Sequence, residues 1–285
     1  KKVGTVYHRV YSILKAKKMQ SKDLKVVKGK FSLYFIKREY LMEILSNDTI
    51  KRIKQKLVLG FHILDNEGQG SDIAGHISTR SPGSDYFWTN QFPLGFDEAD
   101  INKLESVSIG TNEFDIHGSV SPALGLHCEI YKTYENINSI VHTHPIYAAA
   151  LGIIGKNLEP IDQQASPFFE SIILFDEHHG VFNNGEGGTK EIVSAIKNNK
   201  AILLKNHGIL VFGEYIEEAI VGSIILEKAA KIQIISMAAG NLQKIPDESI
   251  RQAKKFLNQE EIFKWKFNYF ARRAIRANQN IKKML

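Results

Sequence analysis

The sequence predicts an α/β fold built in layers, and three observations lead there. Strand-like and helix-like segments alternate along the 285 residues instead of clustering by type. Two of the strand-like segments, 139–144 and 201–212, are apolar almost throughout, as strands covered on both faces are. A long helical segment, 216–239, follows directly on the second. Interleaving of this kind argues for helices packed on a sheet and against a helical bundle.

The elements follow in order. The first 50 residues mix lysines with short apolar clusters such as 31–36, and read as a basic extension carrying one or two helices and a short strand. Between 50 and 64 the positions Ile53, Leu57, Leu59 and Phe61 trace one helical face. Residues 66–120 turn glycine-, serine- and aspartate-rich, with β-prone runs at 73–79, 85–90 and 106–109, so several short strands joined by turns are expected. A helix at 124–133 precedes the strand 139–144, and Pro145 then suits the first turn of a helix at 146–153. A helix at 190–198 precedes the second buried strand, which Asn206-His-Gly208 interrupts. The helix at 216–239 opens with Glu217 and Glu218, acids placed where the helix dipole favours them. The segment 249–285 reads as helical. Its Phe256, Phe263, Trp265, Phe267, Tyr269 and Phe270 suit docking on the body or on a neighbouring subunit. Three parts result: an extension (1–50), a main domain (51–245) and a helical tail (246–285).

Composition narrows the class. A 43% hydrophobic share with 24% charged residues is ordinary for a globular chain and excludes wholesale disorder. The longest apolar run, 146–154, is about half of what a bilayer requires, so no membrane-spanning helix is expected. The single cysteine, Cys128, forms no internal disulfide, and cytoplasmic is the default location. The chain begins at Lys1, and no charged-then-apolar leader opens it. The net charge of +6 conceals a division: +12 over residues 1–60, −14 over 61–250 and +8 over 251–285. No zinc-finger spacing or base-stacking motif accompanies the lysines, so they read as solvated helix faces and no nucleic-acid partner is expected.

The histidines carry the chemistry. Eight of the ten fall between His76 and His207. His142 and His144 stand at i and i+2 in an apolar strand, so both leave the same face while Thr143 leaves the other. Two buried imidazoles either bond to backbone carbonyls or hold a divalent metal. His207 tips the balance, because Asn206-His-Gly208 breaks a second buried strand just before a glycine and aims a side chain into a cleft. Three neutral imidazoles with an open fourth position are a common catalytic zinc arrangement.

These motifs resemble those of the class II aldolase/adducin family. Val141-His-Thr-His-Pro145 and Leu204-Lys-Asn-His-Gly-Ile-Leu210 are similar to its two metal motifs, and Leu126-His-Cys-Glu-Ile-Tyr131 to its Leu-His-x-x-Ile-Tyr helix. Ile73-Ala-Gly-His-Ile-Ser78 stands where the family has a Gly-Asn-Ile-Ser substrate loop. The resemblance covers about residues 55–240. It implies a three-layer α/β/α sandwich with a mostly antiparallel central sheet, and His142, His144 and His207 as ligands to a divalent metal. Zinc is the first expectation, with iron, manganese and cobalt as alternatives. It further implies Gly75, His76 and Ser78 as substrate contacts and a homotetrameric assembly.

Two departures stand out. The glutamate of the aldolases, four residues before the helix histidine, is replaced here by Ala123, and Glu129 lies too far along the helix to substitute. His76 replaces the loop asparagine. Both changes resemble an adducin-head-like branch, in which a segment like 178–181 suggests His179 as acid/base. His127 reads as a packed structural residue. The leading expectation is therefore a metal-dependent carbon–carbon lyase, aldolase or decarboxylase, acting on a small hydroxy- or oxo-acid or carbonyl substrate through a metal-stabilised enolate. The alternatives are a non-catalytic adducin-head-like scaffold and an aldolase-like non-haem iron oxygenase.

Overall fold

The computed structural model describes residues 38–111, 114, 117–177 and 188–285, with side chains from residue 48 onward. The chain divides into two units, Lys1–Lys51 and Arg52–Leu285. The described part of the first is the opening of helix α1 (Arg38–Asn66); the cluster at 31–36 lies outside the described residues. The sheet, its covering helices and the histidine site belong to the second unit.

Seven strands form one sheet in the order β3-β2-β1-β4-β7-β6-β5. They are β1 (His76–Thr79), β2 (Tyr86–Asn90), β3 (Leu104–Ser108), β4 (Ser139–Thr143), β5 (Ile172–Phe175), β6 (Ala201–Leu204) and β7 (Ile209–Gly213). Every pairing is antiparallel except β5 with β6. The helices are α1, α2 (Leu124–Thr133), α3 (Ile146–Ile153), α4 (Thr189–Ile196), α5 (Ile216–Ala239), α6 (Asp247–Leu257), α7 (Glu260–Ala277) and α8 (Ile281–Met284).

The side-chain period of two explains the layers. Ile77, Val141, Leu203, Ile209 and Val211 face one way, into a core shared with α1, α3, α5 and α7. Ile140, Ile202, Leu204, Leu210 and Phe212 face the other, onto α2 and α4. The three-layer α/β/α sandwich with a mostly antiparallel sheet is thus observed. Strands β1, β4, β6 and β7 are buried at every position, which is why they read as apolar runs and not as alternations. Strand β5 was missed in the sequence: four residues beside a proline-bearing 3-10 turn, Gln163–Phe168, leave too little pattern. In the tail, Phe263, Phe267, Phe270, Ala274 and Ile281 are buried in the core beneath α1 and α5, whereas Trp265 and Tyr269 remain exposed.

Candidate metal centre

The site lies where β4 ends beside the β6–β7 hairpin. Residues 205–208 make the turn, closed by Leu204 N–H donating to Gly208 O and His207 N–H to Leu204 O. Asn206 takes the left-handed conformation, φ 57°, which asparagine tolerates better than most residues. Gly208 meets a stricter demand. A Cβ there would stand 2.3 Å from Thr143 O and 2.6 Å from His144 Cδ2. Only glycine lets the hairpin lie against the end of β4, and that contact carries His207 over His144. Asn206 and Gly208 therefore answer the geometry of the turn, and His207 is the side chain it presents.

Strand β4 supplies the other two imidazoles. His142 Nδ1 donates to Ile209 O across the β4–β7 pair at 2.9 Å. A carbonyl can only accept, so the proton sits on Nδ1 and the lone pair on Nε2 faces the cleft. His144 is held by its backbone N–H, which donates to Ser71 Oγ at 2.9 Å. Thr143 points to the opposite layer and donates to Gln69 Oε1 at 2.9 Å, the alternation expected of a strand.

The ligand atoms of His142, His144 and His207 all lie within 4.8 Å of one another, and no carboxylate joins them among the described residues. His142 Nε2 and His144 Nε2 are 3.0 Å apart, near the roughly 3.3 Å separating two nitrogens on one tetrahedral zinc at about 2.05 Å. Ring centroids stand 4.7 to 4.9 Å apart around the triad. Burial holds the pKa of His142 well below the usual imidazole range, with His76, His144 and His207 adding to it, and burial lowers His144 as well. Neutral imidazoles are the form in which histidine donates to a metal. The donor set and its spacing fit a divalent cation.

A second row of polar groups lies behind the triad, on the α2 side of the sheet. His76 pairs with His142 across β1 and β4, with ring centroids 4.7 Å apart. His76 Nδ1 bonds His127 Nε2, His127 Nδ1 bonds Ser78 Oγ, and Ser78 Oγ bonds Tyr131 Oη, each at 2.7 Å. His127 and Ser78 are fully buried. His127 and Tyr131 stand at i and i+4 on α2 and so share one face; that spacing was the available signal for a chain the sequence reading did not assemble. Gly75 packs beneath Phe96, whose Cζ would lie 2.9 Å from an added Cβ, so packing requires a glycine there.

The remaining candidates are placed as follows. His179, with the 178–181 segment, lies outside the described residues. Ala123 stands at the start of α2, and Glu129 pairs with Lys132 at 2.7 Å on the surface. Cys128 is buried, and burial pushes its thiol up to about 12, which removes it as a nucleophile.

Three imidazoles converge at the end of the central strand of a mostly antiparallel α/β/α sandwich in a spacing that could hold a metal ion, and sequence comparison gives the family. Residues 55–234 match the class II aldolase and adducin N-terminal domain family, and the chain belongs to it. The chain is 30% identical over 197 residues to decarboxylase NovR of Streptomyces niveus, covering 68% of this chain and 70% of that protein. It is equally similar, at 30% over 197 residues and 68% of each chain, to a 4-hydroxy-3-prenylphenylpyruvate oxygenase/4-hydroxy-3-prenylbenzoate synthase of Streptomyces roseochromogenus. Among solved structures, L-fuculose 1-phosphate aldolase from Glaciozyma antarctica superposes with a TM-score of 0.70 at 27% identity, covering 80% of this chain and 90% of that one. The family, together with the decarboxylase and aldolase relatives, supports a metal-dependent lyase of the aldolase and decarboxylase type. No described helix is long and apolar enough to cross a membrane.

Proposed function

We propose that this chain cleaves a carbon–carbon bond next to a carbonyl in a small hydroxy- or oxo-acid, with decarboxylation as the reaction the site suits best. The observation that carries this reading is the convergence of His142, His144 and His207 without a carboxylate among the described residues. A divalent cation on three neutral ligands keeps its full charge and, when bound, polarises a chelated carbonyl; zinc is the first choice for such a donor set, and iron, manganese or cobalt would also fit.

The chain's own residues prepare that cleft. Ile209 O orients His142, Ser71 Oγ anchors the backbone at His144, and Gly208 admits the turn that presents His207. Ala123 stands in place of the family glutamate, so no carboxylate base is supplied from α2. Bond breaking in a decarboxylation needs no such base, because the departing carboxylate leaves its electron pair behind. His179 is the candidate for returning a proton to the product. Gly75 and the opening of β1 form the substrate-facing element, with His76 nearest the triad and Ser78 acting from behind it.

We also infer a homo-oligomer, a tetramer in the first instance. Ile146, Ile153 and Ile154, exposed beside the site, supply an apolar surface suited to a second copy. A cytoplasmic location fits a chain with one buried thiol.

Elemental analysis of the purified protein, together with carbon dioxide, pyruvate and oxygen assays on a panel of hydroxy- and oxo-acids, tests the reading. About one metal per chain and product release without oxygen uptake are expected. His207→Ala is expected to strip the metal and leave the fold intact by circular dichroism. Metal-free, inert wild-type protein would favour the scaffold alternative, and stoichiometric oxygen uptake the oxygenase.

A further inference from the structure

The buried chain Tyr131–Ser78–His127–His76 has a direction, and the direction decides what His76 does. Three bonds in series admit three proton orders; one, in which His127 Nδ1–H and the Tyr131 hydroxyl both donate to Ser78, leaves the Ser78 hydroxyl hydrogen unpaired in the interior, and two remain. In one, His76 Nδ1–H donates to His127, His127 Nδ1–H donates to Ser78, and Ser78 donates to Tyr131. The Tyr131 hydroxyl hydrogen then needs a further acceptor, and among the described residues Tyr131 Oη has Ser78 as its one partner. Tyr131 is 2% exposed, so the hydrogen would be left unpaired in the interior, which is expensive. In the other order Tyr131 donates to Ser78, Ser78 to His127 Nδ1, and His127 Nε2–H to His76 Nδ1. Every hydrogen then has an acceptor, and the remaining proton of His76 resides on Nε2.

That nitrogen is open. Among the described residues the sealed side-chain nitrogens and oxygens without a partner are Ser166 Oγ and Asn258 Oδ1. His76 Nε2, which has no hydrogen-bond partner among those residues, is therefore reached from the cleft. Its ring lies 4.7 Å from that of His142, and His144 and His207 act on it electrostatically.

We infer that the Tyr131–Ser78–His127 chain locks His76 as the tautomer protonated on Nε2, making it a hydrogen-bond donor to a carboxylate or carbonyl oxygen of substrate beside the triad and not a fourth metal ligand. A ligand needs a bare Nε2, and the whole chain would have to reverse to provide one. The substrate role rests on the metal-centre reading; the tautomer does not.

The test separates the two. Nitrogen–proton correlation spectra of metal-free protein labelled with ¹⁵N-histidine report which ring nitrogen carries the proton, the His76 signals being those absent from His76→Gln. A bare Nδ1 and protonated Nε2 at His76 are expected, whereas a proton on Nδ1 overturns the inference whatever the metal does. Zinc-loaded protein is then titrated with oxalate as the probe. His76→Leu should weaken oxalate binding about tenfold to a hundredfold with zinc content unchanged, and His76→Gln, which keeps an N–H donor, should restore most of it. Loss of zinc in His76→Leu would make His76 a ligand and sink the donor role. Wild-type protein that takes up no zinc would overturn the metal reading and the substrate role with it, leaving the tautomer to the spectra.

Discussion

Two groups of histidines, 4.7 Å apart at their closest rings, are built on opposite principles. In the triad, His142 is tied by its remote nitrogen to a backbone carbonyl, which leaves the near nitrogen bare and facing its neighbours. In the chain behind it, His127 uses both nitrogens on protein partners and His76 has one so engaged. The first arrangement turns His142 Nε2 toward a second imidazole nitrogen, as a shared cation would require; the second engages every ring nitrogen except His76 Nε2 with protein partners. His142 and His76, equally buried, thus differ in whether the remote nitrogen meets a backbone carbonyl or a side chain of the buried chain.

The contrast is broken most severely at Gly208. Gly208→Ala forces a Cβ into Thr143 O and His144 Cδ2, so the hairpin must lift and carry His207 with it. Metal binding should be abolished and stability should fall by about 3 kcal/mol, the upper range for an overpacked site. The Tyr131–Ser78–His127–His76 chain, whose hydrogen bonds involve no residue of that turn, should keep its tautomers. Metal content and the urea midpoint check the first two expectations, and histidine nitrogen spectra the third.

Acid distinguishes the groups next. Burial, and secondarily His142, pushes His127 down to about 3. The unfolded chain takes up that proton near pH 6.5, so below this value the unfolded state binds more protons and stability falls with pH. Above pH 6.5 the contribution is fully present. Between pH 6.5 and 4.5 metal-free protein should lose about 2–3 kcal/mol through this residue, and His76, lowered by burial first, acts with the same sign. Urea midpoints across that range should shift accordingly, and a flat profile would show that the chain is not buried in solution as it is here.

Much of this site was legible in the sequence because its demands are local. A histidine pair at i and i+2 in a strand has a defined face, and Asn206-His-Gly208 is a turn whose residues answer a backbone conformation and a close approach. The helices at 124–133, 146–153 and 216–239 were legible to the residue, their ends marked by turns and proline. The relay was less so. Its members come from β1 and α2, and nothing local says that Ser78 meets His127 and Tyr131 until the sheet register sets β1 beside β4. The packing of Gly75 was hidden for the same reason: it meets Phe96, more than twenty residues on.

The mildest test uses the two faces of one strand. Thr143 sits between two histidines of the triad in the sequence, yet its side chain serves the other layer, donating to Gln69, which in turn donates to Ser223 O at 3.0 Å. Thr143→Val preserves shape and removes only the hydroxyl, leaving Gln69 Oε1, on a residue 2% exposed, short of a donor. A loss of about 1–2 kcal/mol is expected, with zinc content and the triad's spectra unchanged. If this substitution altered metal affinity, the strand would not be insulating its two faces from each other, and the division between ligand groups and structural groups would have to be redrawn around β4 as a whole.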